Sequence, residues 1–403
     1  MGLSVERAAL LMLIAAVVGI VSRRLRLPYS VGLVIAGLVL ALLPISPQVT
    51  LTKSLLFSIL LPPLIFEAAL RLDLDQLRKD FVLVFVLATA GVVLSAAFTT
   101  MGMRVFLGWP WITALLFGSL ISATDPVSVI AIFKGANLHG RLLTLVESES
   151  LLNDGTAAVL FSISLSLAQG HSPTVLGITT KLLITIAGSI ACGFVAALGV
   201  SALAGRTNDH LIELTFTTVA AYGSFILAEN LNLSGVLATL VAGLIVGNKR
   251  AGGRFTDRGR EAVEAFWEYA AFVANSLVFL LIGIRVGHEH FLGKWSAVAA
   301  AIVVVLVSRA FAVYPCCALF LRSRIRVSAR QQHVLFWGGL RGALALALAL
   351  ALPPELPDRS SVVSLSFAIV VFSIFVQGLT IKPLLRHFGE IAATRQASGA
   401  PSP

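Results

Sequence analysis

The chain has 403 residues, of which 57% are hydrophobic and only 12% are charged, and its formal net charge is +10. A soluble domain carries about 25% charged residues, so the composition excludes an ordinary soluble domain and predicts a membrane protein. The basic residues are spread over short loops between apolar segments, which indicates membrane topology and no nucleic-acid partner. Three cysteines lie in apolar segments without metal-binding spacing, so we predict packing thiols at Cys192, Cys316 and Cys317.

Apolar segments long enough to cross a bilayer, about 20 residues each, follow one another along the whole chain. We number them 1 to 13, and they cover 5–22, 29–44, 51–70, 81–106, 110–133, 141–168, 174–203, 210–230, 233–248, 262–286, 291–321, 330–352 and 360–386. The first segment carries an acid before its first base and is followed by three arginines, so we expect a spanning helix rather than a cleaved signal. The sequence therefore predicts an all-α polytopic membrane protein with thirteen transmembrane helices.

The distribution of lysine and arginine predicts how the chain is oriented. Thirteen spans place the two termini on opposite sides, and one side holds about three times as many basic residues as the other. The basic side is the cytoplasmic one in bacterial inner-membrane proteins. We therefore expect the N-terminus outside and the C-terminus in the cytoplasm.

A weak internal repeat relates segments 2 and 9, because Ala36-Gly37-Leu38 aligns with Ala242-Gly243-Leu244. A separation of seven segments implies opposite orientations in the membrane. We therefore predict two inverted six-helix halves, 1–168 and 210–388, joined by a linker helix at 174–203. Many secondary transporters are built in this way.

The same shift of seven pairs segment 5 with segment 12. Segment 5 carries Thr124-Asp125-Pro126, and segment 12 carries Gly338-Gly339-Leu340-Arg341-Gly342. Both stretches contain helix-breaking residues. We predict that helices 5 and 12 are broken near the middle of the membrane.

A few ionisable side chains lie well inside apolar segments, where such groups are costly and mark ion paths or proton relays. They are Glu67, Asp125, Glu149, Asp154, Arg309 and Arg341. In segment 6, Ser150 and Asp154 are four residues apart and share a helix face, while Glu149 and Asn153 share a face about 100° away.

A carboxylate at this depth should not stay charged without a partner. The available partners are a bound cation, a proton, Arg309 or Arg341. A carboxylate that alternates between the first two partners would make the protein an exchanger.

Pro126 adds oxygen atoms to the same region. The proline removes one N–H and frees a backbone carbonyl near Ile121 or Ser122, and irregular backbone at membrane depth is tolerated where it lines a cavity. Together with the Thr124 hydroxyl and the Asp125 carboxylate, these are hard oxygen donors that suit a small alkali cation.

Four strings in this order resemble the monovalent cation/proton antiporters, in the branch that holds the prokaryotic NhaP-type antiporters and the animal sodium/proton exchangers. They are Leu61-Pro-Pro-Leu-Ile-Phe-Glu67, Ser122-Ala-Thr-Asp-Pro-Val127, Glu149-Ser-Leu-Leu-Asn-Asp154 and Gly338-Gly-Leu-Arg-Gly-Ala343. The resemblance covers essentially the whole chain. It implies a homodimer of thirteen-helix protomers, each with a dimerisation part and a moving core around crossed, broken helices.

For the ion site, the resemblance implies that Asp154 binds both the cation and the proton. Asp125, Thr124 and Ser150 would contribute oxygens or polarity, and Glu67 would reach the same site. The transported substrate would be Na⁺ (or Li⁺), with no cofactor and with membrane lipids as surroundings.

For the frame of the site, the resemblance implies that Asn153 holds the two crossed helices together. Glu149 and Arg309 would form a buried ion pair that fixes Asn153, with Arg341 left open as the alternative partner of Glu149. Arg341 would compensate the carbonyl ends at the break in segment 12. Electrogenic relatives have Asp where this chain has Asn153, so we expect electroneutral, one-for-one exchange.

The chain departs from the long animal exchangers in its tail, since only about 15 residues, 389–403, follow the last helix, and we expect no regulatory cytoplasmic domain. Simpler interpretations stay open for three residues. Asp125 could cap a helix that begins at Pro126, Glu67 could pair with Arg71 four residues on, and Ser150 could bond within its own helix.

Two alternative transport functions also stay open. A K⁺/H⁺ antiporter of the same fold would share every motif, and a cation channel would use the same carboxylates. The sequence does not favour a third alternative, a membrane-embedded enzyme, since the chain has no HExxH, GxSxG or Walker sequence.

Overall fold

The computed structural model describes residues 5–25, 27–43, 52–135, 138, 140–169, 175–204, 206–248, 255–288 and 295–389. Within these ranges the chain forms helices joined by turns and short extended links, and no β-strand. The predicted all-α class is therefore confirmed. The predicted tail lies outside the described residues beyond Gly389.

The helices follow the apolar segments along the chain, and two of the segments contain a helix pair with a break. We number the helices α1 (Val5–Leu25), α2 (Tyr29–Leu42), α3 (Leu61–Arg71), α4 (Leu74–Val86), α5 (Val92–Leu107), α6 (Trp111–Ile121), α7 (Pro126–Gly135), α8 (Arg141–Ala168), α9 (Val175–Ala204), α10 (His210–Asn230), α11 (Gly235–Gly247), α12 (Asp257–Gly287), α13 (Trp295–Ala318), α14 (Ala329–Trp337), α15 (Ala343–Leu350), α16 (Arg359–Phe372) and α17 (Gly378–His387). Three π-helical stretches, Leu55–Leu60, Leu87–Gly91 and Ser373–Gln377, continue directly into α3, α5 and α17.

Eight helical stretches in these ranges are long and apolar enough to cross a membrane, judged by length and composition. The helices α2, α6 and α11 are equally apolar but shorter. Many apolar side chains on the longer helices face outward: Leu13, Val105 and Val195 are each more than 60% exposed. Lipid is the solvent that suits such a surface, and the fold is that of a polytopic membrane protein.

The helices pack as two bundles. The first bundle contains α1–α3 and α9–α12, with α2 along α12 and α3 along α11. The second contains α4–α8 and α13–α17, with α5 between α6 and α13. Small residues let the helices touch: a Cβ on Gly37 would lie 2.2 Å from the Leu280 carbonyl oxygen, so only glycine fits this α2–α12 contact.

Segments 5 and 12 are broken where their sequences predict. The helix α6 ends at Ile121 and α7 begins at Pro126, while α14 ends at Trp337 and α15 begins at Ala343. The two non-helical links contact each other, because the Asp125 N–H donates to the Leu340 carbonyl over 2.7 Å. This contact brings four helix ends close together inside the second bundle, and the backbone groups at these ends need partners from outside their own helices.

Candidate functional site

Asn153 joins α8 to the break between α6 and α7. Its Nδ2 donates to the Thr124 hydroxyl over 2.6 Å, and its Oδ1 accepts the Thr124 backbone N–H over 3.1 Å. The Thr124 hydroxyl in turn donates to Ser150 Oγ over 2.9 Å. Asn153 is completely buried, so this two-point contact replaces backbone hydrogen bonds that the break removes.

A buried ion pair holds Asn153 in place. Arg309 donates from Nη1 to Glu149 Oε1 over 2.8 Å and from Nη2 to Glu149 Oε2 over 3.0 Å. Glu149 Oε1 also accepts the second Asn153 N–H, over 3.1 Å. Arg309 further donates to the Leu335 carbonyl on α14, over 3.1 Å. Of the two partners that the sequence left open for Glu149, the structure therefore has Arg309.

Arg341 instead satisfies the carbonyl end of α6. Its Nη1 donates to the carbonyl oxygens of Ser122 and Ala123, over 2.9 Å in each case. Its backbone N–H donates to the Ser373 hydroxyl over 3.0 Å, in the π-helical stretch before α17. The guanidinium, which is 2% exposed, thus places a positive charge at the negative end of a helix.

A small pocket lies between the two bundles, where the two links meet. Asp154, Asp125 and Thr124 line it from the second bundle, together with backbone at the start of α15. Asp154 is 5% exposed, and its Oδ1 has no hydrogen-bond partner among the described residues. The pocket therefore contains a carboxylate oxygen that still needs a cation or a proton.

The remaining wall of the pocket is apolar and comes from α3 of the first bundle. Its lining side chains are Leu61, Leu64 and Ile65. A Cβ on Gly342 would come within 2.5 Å of the Asp125 Cβ, so glycine is required where α15 approaches this carboxylate. Oxygen ligands on one side and hydrocarbon on the other leave room for one small, partly dehydrated cation.

Glu67 and Ser150 are not among the residues that line this pocket. Glu67 forms an ion pair with Arg71 over 2.8 Å, because Arg71 lies one turn further along the same face of α3. Arg71 also reaches Glu268 on α12, over 2.8 Å. The simpler interpretation of Glu67 is thus realised, and its direct part in the ion site stays a prediction. Ser150 accepts a hydrogen bond from the Thr124 hydroxyl, and its part in the ion site also stays a prediction.

The site offers carboxylates, hydroxyls and backbone carbonyls as oxygen ligands. Among the described residues, no group of three or more His, Cys, Asp or Glu side chains could hold a metal ion. Two carboxylates with neutral oxygens suit a monovalent alkali cation that binds and leaves. The backbone of Pro126 begins α7, as the helix-break prediction requires, while its side chain lies outside the described residues.

Replacing Asn153 with alanine should destabilise the protein. The change leaves the Thr124 N–H and one Glu149 bond without a partner in a dry interior, which costs about 1–3 kcal/mol per group. We expect a thermal midpoint in detergent several degrees below that of the wild type. Thr156→Val is the matched control on α8, because within the described part of the chain Thr156 bonds only to the Leu152 carbonyl of its own helix. Equal midpoints for the Asn153 variant and the wild type would contradict the bridging role.

The chain is similar to known proteins along nearly its whole length. A family model described as "Sodium/hydrogen exchanger, transmembrane" matches residues 12–387. The low-affinity Na⁺/H⁺ antiporter NhaS1 of Synechocystis is 36% identical over 367 residues, which are 90% of this chain and 69% of that protein. The Na⁺/H⁺ antiporter NhaP of Pseudomonas aeruginosa is 35% identical over 409 residues, 94% of this chain and 95% of that one.

A solved structure shares the fold. The sodium proton antiporter MjNhaP1 of Methanocaldococcus jannaschii at pH 8 superposes with a TM-score of 0.75, at 18% identity, over 96% of each chain.

Proposed function

The chain belongs to the sodium/hydrogen exchanger family, which consists of membrane transporters and not enzymes, and we propose that it exchanges Na⁺ for H⁺ across the membrane. The observation that carries this proposal is the buried Asp154 oxygen without a hydrogen-bond partner, in a pocket between two helix bundles. Several relatives that match nearly the whole chain are named Na⁺/H⁺ antiporters, which supports the choice of ions.

In this mechanism Asp154 binds either one cation or one proton. The bound cation is held by Asp154 and Asp125, with Thr124 contributing its hydroxyl and Ser150 orienting that hydroxyl. Because one carboxylate serves both ions, Na⁺ and H⁺ compete. Transport should therefore stop at low pH, where protons exclude Na⁺, and at high pH, where no proton is available for the return step.

The position of the pocket supports alternating access as the transport mechanism. The second bundle carries the carboxylates, while the first supplies the apolar wall of α3. Moving the second bundle past that wall exposes the site first to one side and then to the other. A bare carboxylate would face a large desolvation penalty against hydrocarbon, whereas a neutralised one would not. The empty site therefore moves poorly, and the two ion fluxes are coupled.

Exchange is one-for-one and electroneutral in this proposal. Asn153 is neutral, and Glu149 is already neutralised by two hydrogen bonds from Arg309. In this proposal Asp154 is the carboxylate that exchanges its ion for another of the same charge.

The proposed transport function implies a particular membrane topology. We propose thirteen spans in two inverted halves, 1–168 and 210–388, joined by the linker helix 174–203. The N-terminus lies outside and the C-terminus in the cytoplasm of a bacterial inner membrane. The protein works as a homodimer, surrounded by membrane lipids.

Cation-driven proton flux in liposomes tests which cation is transported and distinguishes a Na⁺/H⁺ antiporter from a K⁺/H⁺ antiporter and a cation channel. The purified protein is reconstituted with an acid interior reported by a pH-sensitive dye, and Na⁺, Li⁺ and K⁺ are added in turn. We expect Na⁺ and Li⁺ to collapse the gradient without creating a membrane potential.

A K⁺/H⁺ antiporter would respond to K⁺ while Na⁺ and Li⁺ were inert. A cation channel would instead create a membrane potential as it passed current. No response to any of the three cations between pH 5 and 9 would contradict the proposed function.

A further inference from the structure

The link between α13 and α14, residues 319–328, displays three arginines at alternate positions. Arg322, Arg324 and Arg326 are all exposed. Their side chains form no hydrogen bond or ion pair with the part of the chain that the structure describes. Three like charges so close together repel each other, and they need counter-charges from elsewhere.

Those counter-charges do not come from neighbouring sequence. No aspartate or glutamate occurs between residues 291 and 354. The nearby buried carboxylate of Asp80 is already occupied by Arg141, at 2.7 Å. Arg258 on α12 is different, because Asp257 precedes it and Glu261 follows one turn later.

The arginine link is held in shape by a partly buried clamp. Arg141, the first residue of α8, donates to the carbonyl oxygens of Ile325 over 2.8 Å and of Arg326 over 3.0 Å. Its Nε and Nη2 are bound by Asp80 of α4. The link is therefore fixed to two helices of the second bundle, and its arginines are presented as a constant surface.

Apolar side chains border the arginines. Leu319 is 75% exposed and Leu321 is 58% exposed, directly beyond the end of α13. Exposed leucines followed within a few residues by unpaired guanidinium groups match the boundary between acyl chains and headgroups in a bilayer.

We propose that residues 319–326 bind the phosphate headgroups of anionic phospholipids in the cytoplasmic leaflet. Guanidinium groups pair well with phosphate oxygens, and the leucines enter the acyl region of the same lipids. The clamp through Arg141 connects this lipid site to the start of the helix that carries Asp154. A bound lipid would therefore move together with the second bundle, which we propose to be the moving part.

Lipid retention measured by native mass spectrometry tests this proposal without using ion transport. The protein is purified in detergent with phosphatidylglycerol or phosphatidylcholine, as wild type, as R322Q/R324Q and as R206Q/R258Q. The last variant is the matched control, since it removes two other exposed arginines. Each basic residue near an anionic surface adds roughly fivefold in affinity, so R322Q/R324Q should retain phosphatidylglycerol roughly thirtyfold more weakly. The control should match the wild type within about twofold.

Three results would overturn the proposal. The wild type could show no preference for phosphatidylglycerol over phosphatidylcholine. The two double variants could lose phosphatidylglycerol equally, which would leave only a general effect of positive charge. Inorganic phosphate at millimolar concentration could displace the lipid from the wild type, which would make the surface a site for free phosphate.

Discussion

Asp154→Asn should abolish Na⁺-driven proton flux in liposomes, by at least about a hundredfold relative to the wild type. Asparagine keeps the shape of the side chain but neither carries a charge nor exchanges a proton near neutral pH. The variant site is permanently neutral, so it has no charge with which to attract Na⁺ and no proton to return. In the structure, Asp154 Oδ1 has no hydrogen bond that the substitution would break, so the loss of transport should not come from unfolding.

The control for this variant is a carboxylate far from the pocket. Asp257→Asn removes an exposed acid in the first turn of α12 and should leave the flux within about twofold of the wild type. A thermal midpoint for Asp154→Asn at or above that of the wild type would establish that the protein is folded. Substantial Na⁺-driven flux in a folded Asp154→Asn protein would mean that another group carries the ion.

Arg309→Met should be the most destabilising single change at the site. It leaves Glu149, which is 1% exposed, as a buried charge without its partner, and breaking a buried pair in this way costs about 3–5 kcal/mol. Asn153 would lose the support of Glu149 at the same time, so the bridge to Thr124 should loosen. We expect poor recovery of folded protein and a thermal midpoint far below that of the wild type.

The double variant Glu149→Leu/Arg309→Met separates lost charge balance from lost packing. Both charges are then absent, and apolar side chains of similar volume can replace a buried pair at little cost. The double variant should therefore recover much of the stability that Arg309→Met loses. If it were as unstable as the single variant, the pairing of Glu149 with Arg309 would not be the reason for the loss.

The breaks in segments 5 and 12 could be predicted because they depend on local chemistry. Pro126 cannot donate the hydrogen bond that a continuous helix needs, and the glycines around Arg341 carry little helix preference. The side chains that share a face of α8 could also be predicted, because residues four apart lie on the same side of a helix. These are properties of a few adjacent residues, and the structure has them where the sequence places them.

The partner of Glu149 could not be decided from sequence, because Arg309 and Arg341 are long, flexible side chains on helices far away in the chain. In the structure the two arginines differ in their other contacts: Arg309 contacts α14, whereas Arg341 contacts the end of α6. Glu67 shows the same limit of sequence reasoning. Its ion pair with Arg71 was one of two interpretations open from the sequence, and its direct part in the ion site stays a prediction.

The grouping of helices into bundles could not be predicted from the sequence either. The predicted halves, 1–168 and 210–388, follow chain order, whereas the bundles mix them: α1–α3 pack with α9–α12. Helices that are apolar all round carry no stripe that says which neighbour they face. For the same reason the apolar pocket wall of Leu61, Leu64 and Ile65 could not be assigned before the bundles were seen.

Competition between Na⁺ and H⁺ for one carboxylate is the central claim, and calorimetric titration of the purified protein with Na⁺ tests it most directly. The titration is run across a pH series, in buffers of different ionisation enthalpy that report protons released. We predict that the apparent Kd for Na⁺ rises about tenfold for each unit by which the pH falls through the protonation range, with about one proton released per Na⁺ bound. An apparent Kd that stays constant across the series, with no proton released, would contradict the claim.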